Sequence, residues 1–276
     1  IIGLQNHTYT ESRQLPQTVK KTKGKQLLKI IILAMLLFLA GDSVYHLFIL
    51  PFNSTAKIQF FGIDTILETD LKKAAGLTGT EKWGKIDKDV LLRRVASYPL
   101  VAEARVLKKY PDKVLIDITE RKPVGVLLAT VGGRTVPMEI DKTGTVFKVA
   151  SQKDPQTLPI ISGLSFQTIR AGMKVHKRLV PLFKQLDILQ KKNPALLSEI
   201  SEMKIEQKKY GGFDLILYPV RTQVKVHTEG TLNEEKLQYM ILALDVIREL
   251  DLNAKIEELD VRGGTASYRL RGETDE

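Results

Sequence analysis

The chain has 276 residues, a formal charge of +10 and an apolar fraction of 43%, which is enough for one large domain or two ordinary domains with a packed core. It contains no cysteine, so thiol catalysis, cysteine-ligated zinc and disulfide bonds are excluded. The lysines are spread out, and aromatic residues do not alternate with them as a nucleic-acid stacking platform requires. We therefore expect no nucleic-acid partner and attribute the charge to a nearby anionic membrane surface or another acidic polymer.

A long apolar segment follows a basic tail of residues 1–26. Residues 27–50 provide the length of a transmembrane helix, with Asp42 as a polar interruption that a partner helix, the headgroups or an interfacial position would tolerate. A cleaved signal peptide is the alternative, but Ala40 is preceded two residues earlier by the large Phe38, which does not fit a cleavage site. We favour an uncleaved anchor, and the lysines before it predict a cytoplasmic N-terminus with the remaining domains outside.

Residues 54–122 contain the elements of a small α+β module. The pattern predicts a strand at residues 57–61, two short helices, and two strands of alternating polarity joined by a turn at residues 108–113. Two helices on one face of a three-stranded sheet make a self-sufficient unit. The residues predicted to cap these helices are Thr69 and Gly76 for the first and Asp87 for the second.

From residue 123 onward the sequence is rich in short strands. A hairpin turn is predicted at residues 141–144, an amphipathic helix at residues 176–191 and a second helix after a capping box that begins at Thr231. The pattern predicts a mixed β-sheet domain with flanking helices at residues 123–271, followed by a charged tail at residues 272–276. The predicted fold class is therefore α+β, with a single transmembrane helix before two folded modules.

The most specific pattern is YPLVAEARVLKKYPDKVLIDITERKPVGVL at residues 98–127. It combines an aromatic-Pro-x-Val start, a basic-aromatic-Pro turn, and an alternating strand that ends in Glu-Arg-x-Pro-Val. This run resembles the signature of the FtsQ/DivIB cell-division family, and residues 54–122 resemble its POTRA (polypeptide-transport-associated) module. Residues 234–237 and 256–262 resemble later segments of the same family, so the resemblance extends over about residues 20–271.

A charged triplet, Glu120-Arg121-Lys122, lies where the chain leaves the predicted POTRA module. Pro123 follows it and prevents the strand from continuing without interruption. The triplet is either a solvated linker or the source of an interdomain ion pair that sets the angle between the two modules.

No combination of residues predicts a catalytic, cofactor-binding or metal-binding site. The histidines are far apart in the sequence and none has a second ligand at metal spacing. Solvated strand faces and turns account for the carboxylates, including those of residues 257–260. We therefore predict a protein that is not an enzyme and has no cofactor. The four histidines are His7, His46, His176 and His227.

The last predicted strand, residues 265–271, is a short strand at the end of the chain's β region. Gly263 and Gly264 before it allow a sharp turn. An exposed strand edge presents unpaired N–H and C=O groups, to which a partner segment can add as an extra strand. The alternative is an ordinary edge strand that its arginines protect from pairing.

The resemblance to the FtsQ/DivIB family implies a bitopic scaffold at the division septum, in the cytoplasmic membrane. In that family the C-terminal strand and the helix before it receive FtsB/DivIC-like and FtsL-like bitopic partners, and the POTRA module contributes to recruitment with other divisome proteins. The family often has an aromatic residue directly after its Asp-Leu-Arg, where this chain has Gly263, so we expect Tyr268 to supply the aromatic anchor. The candidate partner-binding residues are Arg262, Gly264, Thr265, Ala266, Ser267, Tyr268, Arg269 and Leu270.

Two other functions fit parts of the sequence. A POTRA-bearing export or outer-membrane assembly factor usually continues into a β-barrel of many strands of about ten residues, and no such series follows the predicted β domain. An extracytoplasmic wall-modifying enzyme would require a pocket lined by convergent polar groups, for which the sequence gives no motif.

Overall fold

The computed structural model of the chain describes residues 22–150 and 158–272. These residues form an N-terminal helical segment, a small domain with a three-stranded sheet and a larger domain with a ten-stranded sheet. Most of the predicted N-terminal tail and residues 273–276 of the predicted C-terminal tail lie outside the described residues.

The N-terminal segment consists of α1 (Thr22–Val44), a π-helical turn (Tyr45–Ile49) and the short helix α2 (Leu50–Asn53). Within it, the 26 residues Gly24–Ile49 form the one described helix that is long and apolar enough to cross a membrane. At 1.5 Å per residue this stretch extends about 39 Å, which exceeds the roughly 30 Å hydrocarbon core of a bilayer. Its apolar side chains are exposed rather than packed against the folded domains, so the helix requires an apolar environment outside the chain.

Asp42 has a partner within its own helix. Its Oδ1 lies 3.6 Å from Nε2 of His46, one turn further along the helix. This spacing places the two polar side chains on the same face, so the polar interruption in the apolar segment has a local contact that the sequence analysis did not foresee.

The small domain has the predicted order of strand, helix, helix, strand and strand. Its sheet order is β1-β3-β2, with β1 parallel and β2 antiparallel to the central β3. Leu71, Leu91 and Val95 from the two helices pack against the buried face of the sheet. The elements are β1 (Lys57–Phe61), α3 (Glu68–Ala75), α4 (Lys88–Ala96), β2 (Val101–Lys109) and β3 (Lys113–Glu120).

Two of the three predicted caps in this domain are confirmed. Asp87 accepts hydrogen bonds from the N–H groups of Asp89 and Val90 at the start of α4, and Gly76 ends α3 with a left-handed φ of 69°. The prediction for Thr69 is wrong, because α3 already begins at Glu68 and therefore includes that threonine.

The large domain contains one mixed sheet in the order β13-β12-β11-β10-β9-β7-β4-β5-β6, with β8 paired to β4. Parallel pairs join β4 to β7, β7 to β9 and β11 to β12, whereas consecutive hairpin strands pair antiparallel. The strands are β4 (Pro123–Val131), β5 (Arg134–Asp141), β6 (Val146–Val149), β7 (Ile160–Ser162), β8 (Ser165–Phe166), β9 (Ile200–Gln207), β10 (Phe213–Pro219), β11 (Lys225–Glu229), β12 (Ile256–Asp260) and β13 (Ser267–Leu270).

Three helices accompany this sheet, and two of them supply most of the helical side chains in its core. Phe183 and Leu186 of one helix and Leu237 and Met240 of another are at most 1% exposed and belong to the same apolar cluster as the sheet. The cap of the last helix is Asn233, whose Oδ1 accepts the N–H of Lys236, rather than the predicted Thr231. The helices are α5 (Val180–Lys192), α6 (Pro194–Ser198) and α7 (Glu234–Glu249).

The charged triplet connects the two domains through specific contacts. Arg121 donates from Nη1 to the buried Asp141 at 2.5 Å and from Nε to the carbonyl oxygen of Pro99 at 2.9 Å. Because Asp141 ends β5 and Pro99 precedes β2, this guanidinium bridges the large and the small domain. The ion pair of the second interpretation is therefore present, and its control of the angle between the domains stays a prediction. Strand β4 begins directly afterwards at Pro123.

Candidate partner-binding sheet edge

The strand β13 lies at one end of the large sheet. Its sole strand neighbour among the described residues is β12, with Leu259 opposite Tyr268 and Asp260 opposite Ser267. At the other end of the sheet, the segment that contains Gly172 and Met173 bonds to both main-chain groups of Val146 and so covers part of β6. The open margin that can accept an added strand is therefore best developed at β13.

The side of β13 to which each main-chain N–H points can be worked out from the C-terminal end of the strand. The N–H of Arg271 donates to the carbonyl oxygen of Lys255 at 2.8 Å, on the β12 side. Because N–H groups alternate in direction along a strand, the N–H of Tyr268, three residues earlier, points away from β12. This donor faces the open side of the sheet, where an incoming strand would supply a carbonyl oxygen.

The side chain of Tyr268 is 62% exposed, although its cross-strand partner Leu259 is 3% exposed and belongs to the core. Paired residues of an antiparallel ladder share a face of the sheet. Tyr268 thus lies on the apolar face of the sheet, one strand beyond the buried Leu259. This position suits an aromatic anchor for a partner.

Arg262 fixes the turn between β12 and β13. It donates from Nη2 to Asp260 at 2.5 Å and from Nη1 to Asp214 of β10 at 3.0 Å. The hydrogen bonds to Asp260 and Asp214 raise the pKa of Arg262 above its ordinary value, and the bond from Arg262 holds the pKa of Asp260 below its ordinary value. Asp214 is buried, so this contact links the turn to an inner strand and limits how far the edge can move.

A second cluster of charged side chains lies beside the edge strand. Oε2 of Glu258 is 2.7 Å from Nη2 of Arg269 and 3.2 Å from Nε2 of His227. Partial burial by itself would raise the pKa of Glu258, but the neighbouring cations, including Lys225, lower it. Glu258, Arg269 and His227 line a cleft of about 360 Å³ that Tyr268 also borders, so polar groups lie beside the edge strand.

The candidate residues occupy two different environments. Ser267, Tyr268, Arg269 and Leu270 form β13, whereas Gly264, Thr265 and Ala266 belong to the turn before it. The prediction that the strand begins at residue 265 is therefore wrong by two residues. Gly264 has a φ of +77°, a conformation that glycine adopts without strain, and the turn uses residues that the sequence analysis assigned to the strand.

Sequence reasoning missed the inner members of the site. Asp214 is 48 residues from Arg262 in the chain and His227 is on a third strand, so no local spacing connects them. The available signal in the sequence was Asp214, which interrupts the apolar run of β10. The structure shows that this aspartate is buried.

An apolar stripe runs along the exposed side of α7. Tyr239, Leu242, Val246 and Leu250 follow one another at spacings of three or four residues and are 40–63% exposed. Residues at these spacings lie on one face of a helix. We call these four residues the α7 stripe; it is suited to an amphipathic helix of a partner.

Comparison with known proteins shows which proteins this chain is similar to. Residues 53–121 match the family model described as "POTRA domain, FtsQ-type". Proteins named "Cell division protein FtsQ" are similar over longer regions: that of Myxococcus fulvus is 25% identical over 74% of this chain and 69% of its own length. The proteins of Koribacter versatilis and Mycobacterium bovis are 27% and 30% identical, over 68% and 57% of this chain. The chain spans about half the length of these last two relatives, 55% and 48%.

The apolar N-terminal helix, the small domain of FtsQ type and the open-edged mixed sheet define a POTRA protein with a single apolar helical anchor. The matched region begins at Asn53, the last residue of α2, and ends within the charged triplet. The chain therefore contains a POTRA domain of FtsQ type and is similar to cell division proteins named FtsQ.

Proposed function

We propose that this protein is a bitopic scaffold of the divisome, which recruits and regulates septal wall-synthesis proteins through protein–protein contacts and without catalysis. The observation that carries the proposal is the open margin of β13. A partner segment adds there as a further strand, with main-chain hydrogen bonds for affinity and the side chain of Tyr268 for specificity. FtsB/DivIC-like and FtsL-like bitopic proteins are the proposed partners.

The α7 stripe supports a second contact with the same partners. A bitopic partner that continues from a helix into an extended segment places its apolar helical face on α7 and its strand beside β13. The end of α7 and the end of β13 are close together, because Leu252 bonds to Ile256 and Arg271 bonds to Lys255. One continuous partner segment can therefore reach both surfaces.

The proposed arrangement in the cell follows from the anchor. Lysines precede the apolar helix in the sequence, which favours a cytoplasmic N-terminus. The POTRA domain and the β-sheet domain then lie outside the cytoplasmic membrane, at the division septum. The POTRA domain is proposed to contact other divisome proteins.

The test is capture of co-produced bitopic division partners by the full chain in detergent, comparing the native chain with Tyr268→Pro. Proline removes the outward N–H of residue 268 and leaves the inward hydrogen bonds of β13 in place. We expect capture to fall at least about tenfold, as the loss of a central strand-pairing group should cost roughly 1.4 kcal/mol or more.

The matched control is Val149→Pro on β6, at the opposite end of the same sheet. The N–H of Ala150 donates inward to Pro137, so the N–H of Val149 points outward like that of Tyr268. This variant should capture the partners normally. Undiminished capture by Tyr268→Pro, with an unchanged thermal unfolding midpoint, would reject the edge-strand mechanism.

A further inference from the structure

The end of the POTRA domain that meets the membrane helix carries a group of lysines and aromatic rings. We call the lysines the basic rim. They come from the start of β1, the segment between α3 and α4, and the two ends of the β2–β3 turn. The basic rim consists of Lys57, Lys82, Lys85, Lys108, Lys109 and Lys113.

Direct contacts hold this end of the domain against the end of the apolar helical segment. The hydroxyl of Tyr110 in the β2–β3 turn donates to the carbonyl oxygen of Leu47 at 2.5 Å, and Leu47 lies within the apolar stretch that ends at Ile49. Trp83 donates its main-chain N–H to Ser54, directly after the helical segment. A bilayer that covers Leu47 therefore brings its headgroup region to the level of the basic rim.

The packing around Phe52 strengthens this placement. A side chain at Gly84 would meet the Phe52 ring at 2.3 Å, so the absence of a Cβ at this position lets the ring lie against the segment that carries Lys82 and Lys85. The last residues of the helical segment are thus packed on the basic rim and not merely connected to it by the chain.

Strand register aligns three lysines of the basic rim in one row. Lys57 is opposite Lys113, and Lys113 is opposite Lys109. Like charges directly opposite each other across strands are destabilising. Asp112 pairs with Lys57 at 2.7 Å, whereas Lys109 and Lys113 have no carboxylate partner among the described residues.

The aromatic side chains beside the lysines have the chemistry of a membrane interface. The rings of Trp83 and Tyr110 meet edge to face at a centroid distance of 6.3 Å, and Nζ of Lys108 lies 4.4 Å from the Trp83 ring. Tryptophan and tyrosine are enriched at the headgroup level of membranes, and lysines there attract anionic lipids within a Debye length.

We propose that the basic rim binds the anionic phospholipid headgroups of the membrane in which α1 is anchored, and so holds the POTRA domain against the bilayer. The row of like charges is a cost within the protein that phosphate groups offset. This interaction surface is separate from the partner-binding edge at β13, so its failure would leave the proposed divisome function intact.

The sequence contains a single tryptophan, and Trp83 lies within the proposed surface. The full chain is inserted into phosphatidylcholine bilayers that contain a small fraction of lipid with a nitroxide on the acyl chain close to the headgroup. The labelled lipid is either phosphatidylglycerol or phosphatidylcholine. We expect labelled phosphatidylglycerol to quench Trp83 fluorescence roughly fivefold more efficiently, because each lysine at an anionic surface attracts such lipids.

The variant with Lys82→Gln, Lys85→Gln and Lys109→Gln should lose this preference, as should the native chain at high salt. The control changes three exposed lysines of the β-sheet domain to glutamine, at positions 177, 192 and 209, and should retain it. Both variants should show the thermal unfolding of the native chain.

Equal quenching by the two lipids in the native chain would overturn the proposal. So would a preference that survives in the rim variant. If the lipids quench equally while soluble poly(glycerol phosphate) changes the emission of Trp83, the basic rim binds an anionic wall polymer and the lipid proposal is rejected.

Discussion

Glu120 ends the last strand of the POTRA domain, and donors surround its carboxylate. The N–H groups of Asp64, Thr65 and Ile66 and the hydroxyl of Thr65 all donate to it, at 2.5–3.0 Å. Partial burial by itself would raise the pKa of Glu120, but these hydrogen bonds lower it below its ordinary value of 4.5. The ionised side chain therefore fastens the loop before α3 to the end of β3.

Replacement of this carboxylate tests its contribution. Glu120→Gln keeps the shape but removes the charge, and we expect the free energy of unfolding of the POTRA domain to fall by roughly 1–2 kcal/mol at pH 7. Because the folded pKa is depressed, the contribution is complete above about 4.5, the unfolded value, and is lost as the pH falls through the folded pKa. Denaturant titrations followed by the fluorescence of Trp83 measure both effects.

The control for this comparison is Glu103→Gln. Glu103 is an exposed residue of β2, and its side chain makes no hydrogen bond or ion pair with the described residues. Its replacement should therefore change stability by less than about 0.5 kcal/mol. If the difference between the native chain and Glu120→Gln persisted unchanged at acidic pH, the ionised carboxylate would not be its source.

Single residues were predictable from sequence where their partners are local. Asp87 was identified as a helix cap because the N–H groups that donate to its side chain belong to residues two and three positions later in the chain. The contact of Arg262 with Asp214 spans 48 residues, and it depends on β10, β11 and β12 being neighbours in the sheet. Sequence spacing carries no information on that arrangement.

At the scale of elements, the alternation of polarity identified the strands but not all of their ends. Before β13, Thr265 and Ala266 continue the alternating pattern of the strand, yet they belong to the turn. Strand hydrogen bonds begin only where β12 provides a partner, which is Asp260 opposite Ser267. The edge character of β13 was predicted from its place at the end of the β region, whereas the open direction of the Tyr268 N–H required the structure.

The α7 stripe provides a prediction at the element scale. Leu242 is 63% exposed, so Leu242→Glu should leave the unfolding midpoint unchanged but place a charge in the proposed apolar contact with a partner helix. We expect capture of bitopic partners by the full chain to decrease about tenfold, as for an apolar residue at the centre of an interface.

The control for the α7 stripe is Ile188→Glu on α5. Ile188 is 54% exposed and undergoes the same change from an apolar to an acidic side chain, outside the proposed contact. It should retain normal capture. Equal capture by the native chain and Leu242→Glu would mean that partners do not use this face of α7.

At the scale of the whole molecule, the sequence analysis foresaw a small α+β module and a mixed β domain but left their connection open. A charged triplet before a proline has the same sequence pattern whether its side chains are solvated or form ion pairs. The structure distinguishes the two because Asp141, the partner of Arg121, is the last residue of β5 in the second domain and has 4% side-chain exposure. The basic rim was hidden for the same reason, since its lysines meet only when the register of three strands is known.

We expect the angle between the domains to depend on Arg121. Its guanidinium bonds to Asp141 in one domain and to Pro99 in the other, and its side chain is 13% exposed. Arg121→Ala leaves a buried carboxylate without its cation, which costs roughly 3 kcal/mol when a buried pair is broken. The other oxygen of Asp141 retains its bonds to Thr143 and Thr145, so we expect the turn to survive while the two domains move more freely.

Distances between spin labels measure this freedom. The chain contains no cysteine, so cysteines introduced at the exposed positions Glu103 in the POTRA domain and Tyr210 in the β-sheet domain are the only labelling sites. We expect a narrow distance distribution in the native background and a broader one with Arg121→Ala. Arg221→Ala, which removes an exposed ion pair with Glu199 within one domain, should leave the width unchanged. An unchanged width with Arg121→Ala would show that the domain angle is set by other contacts, such as those of Glu120.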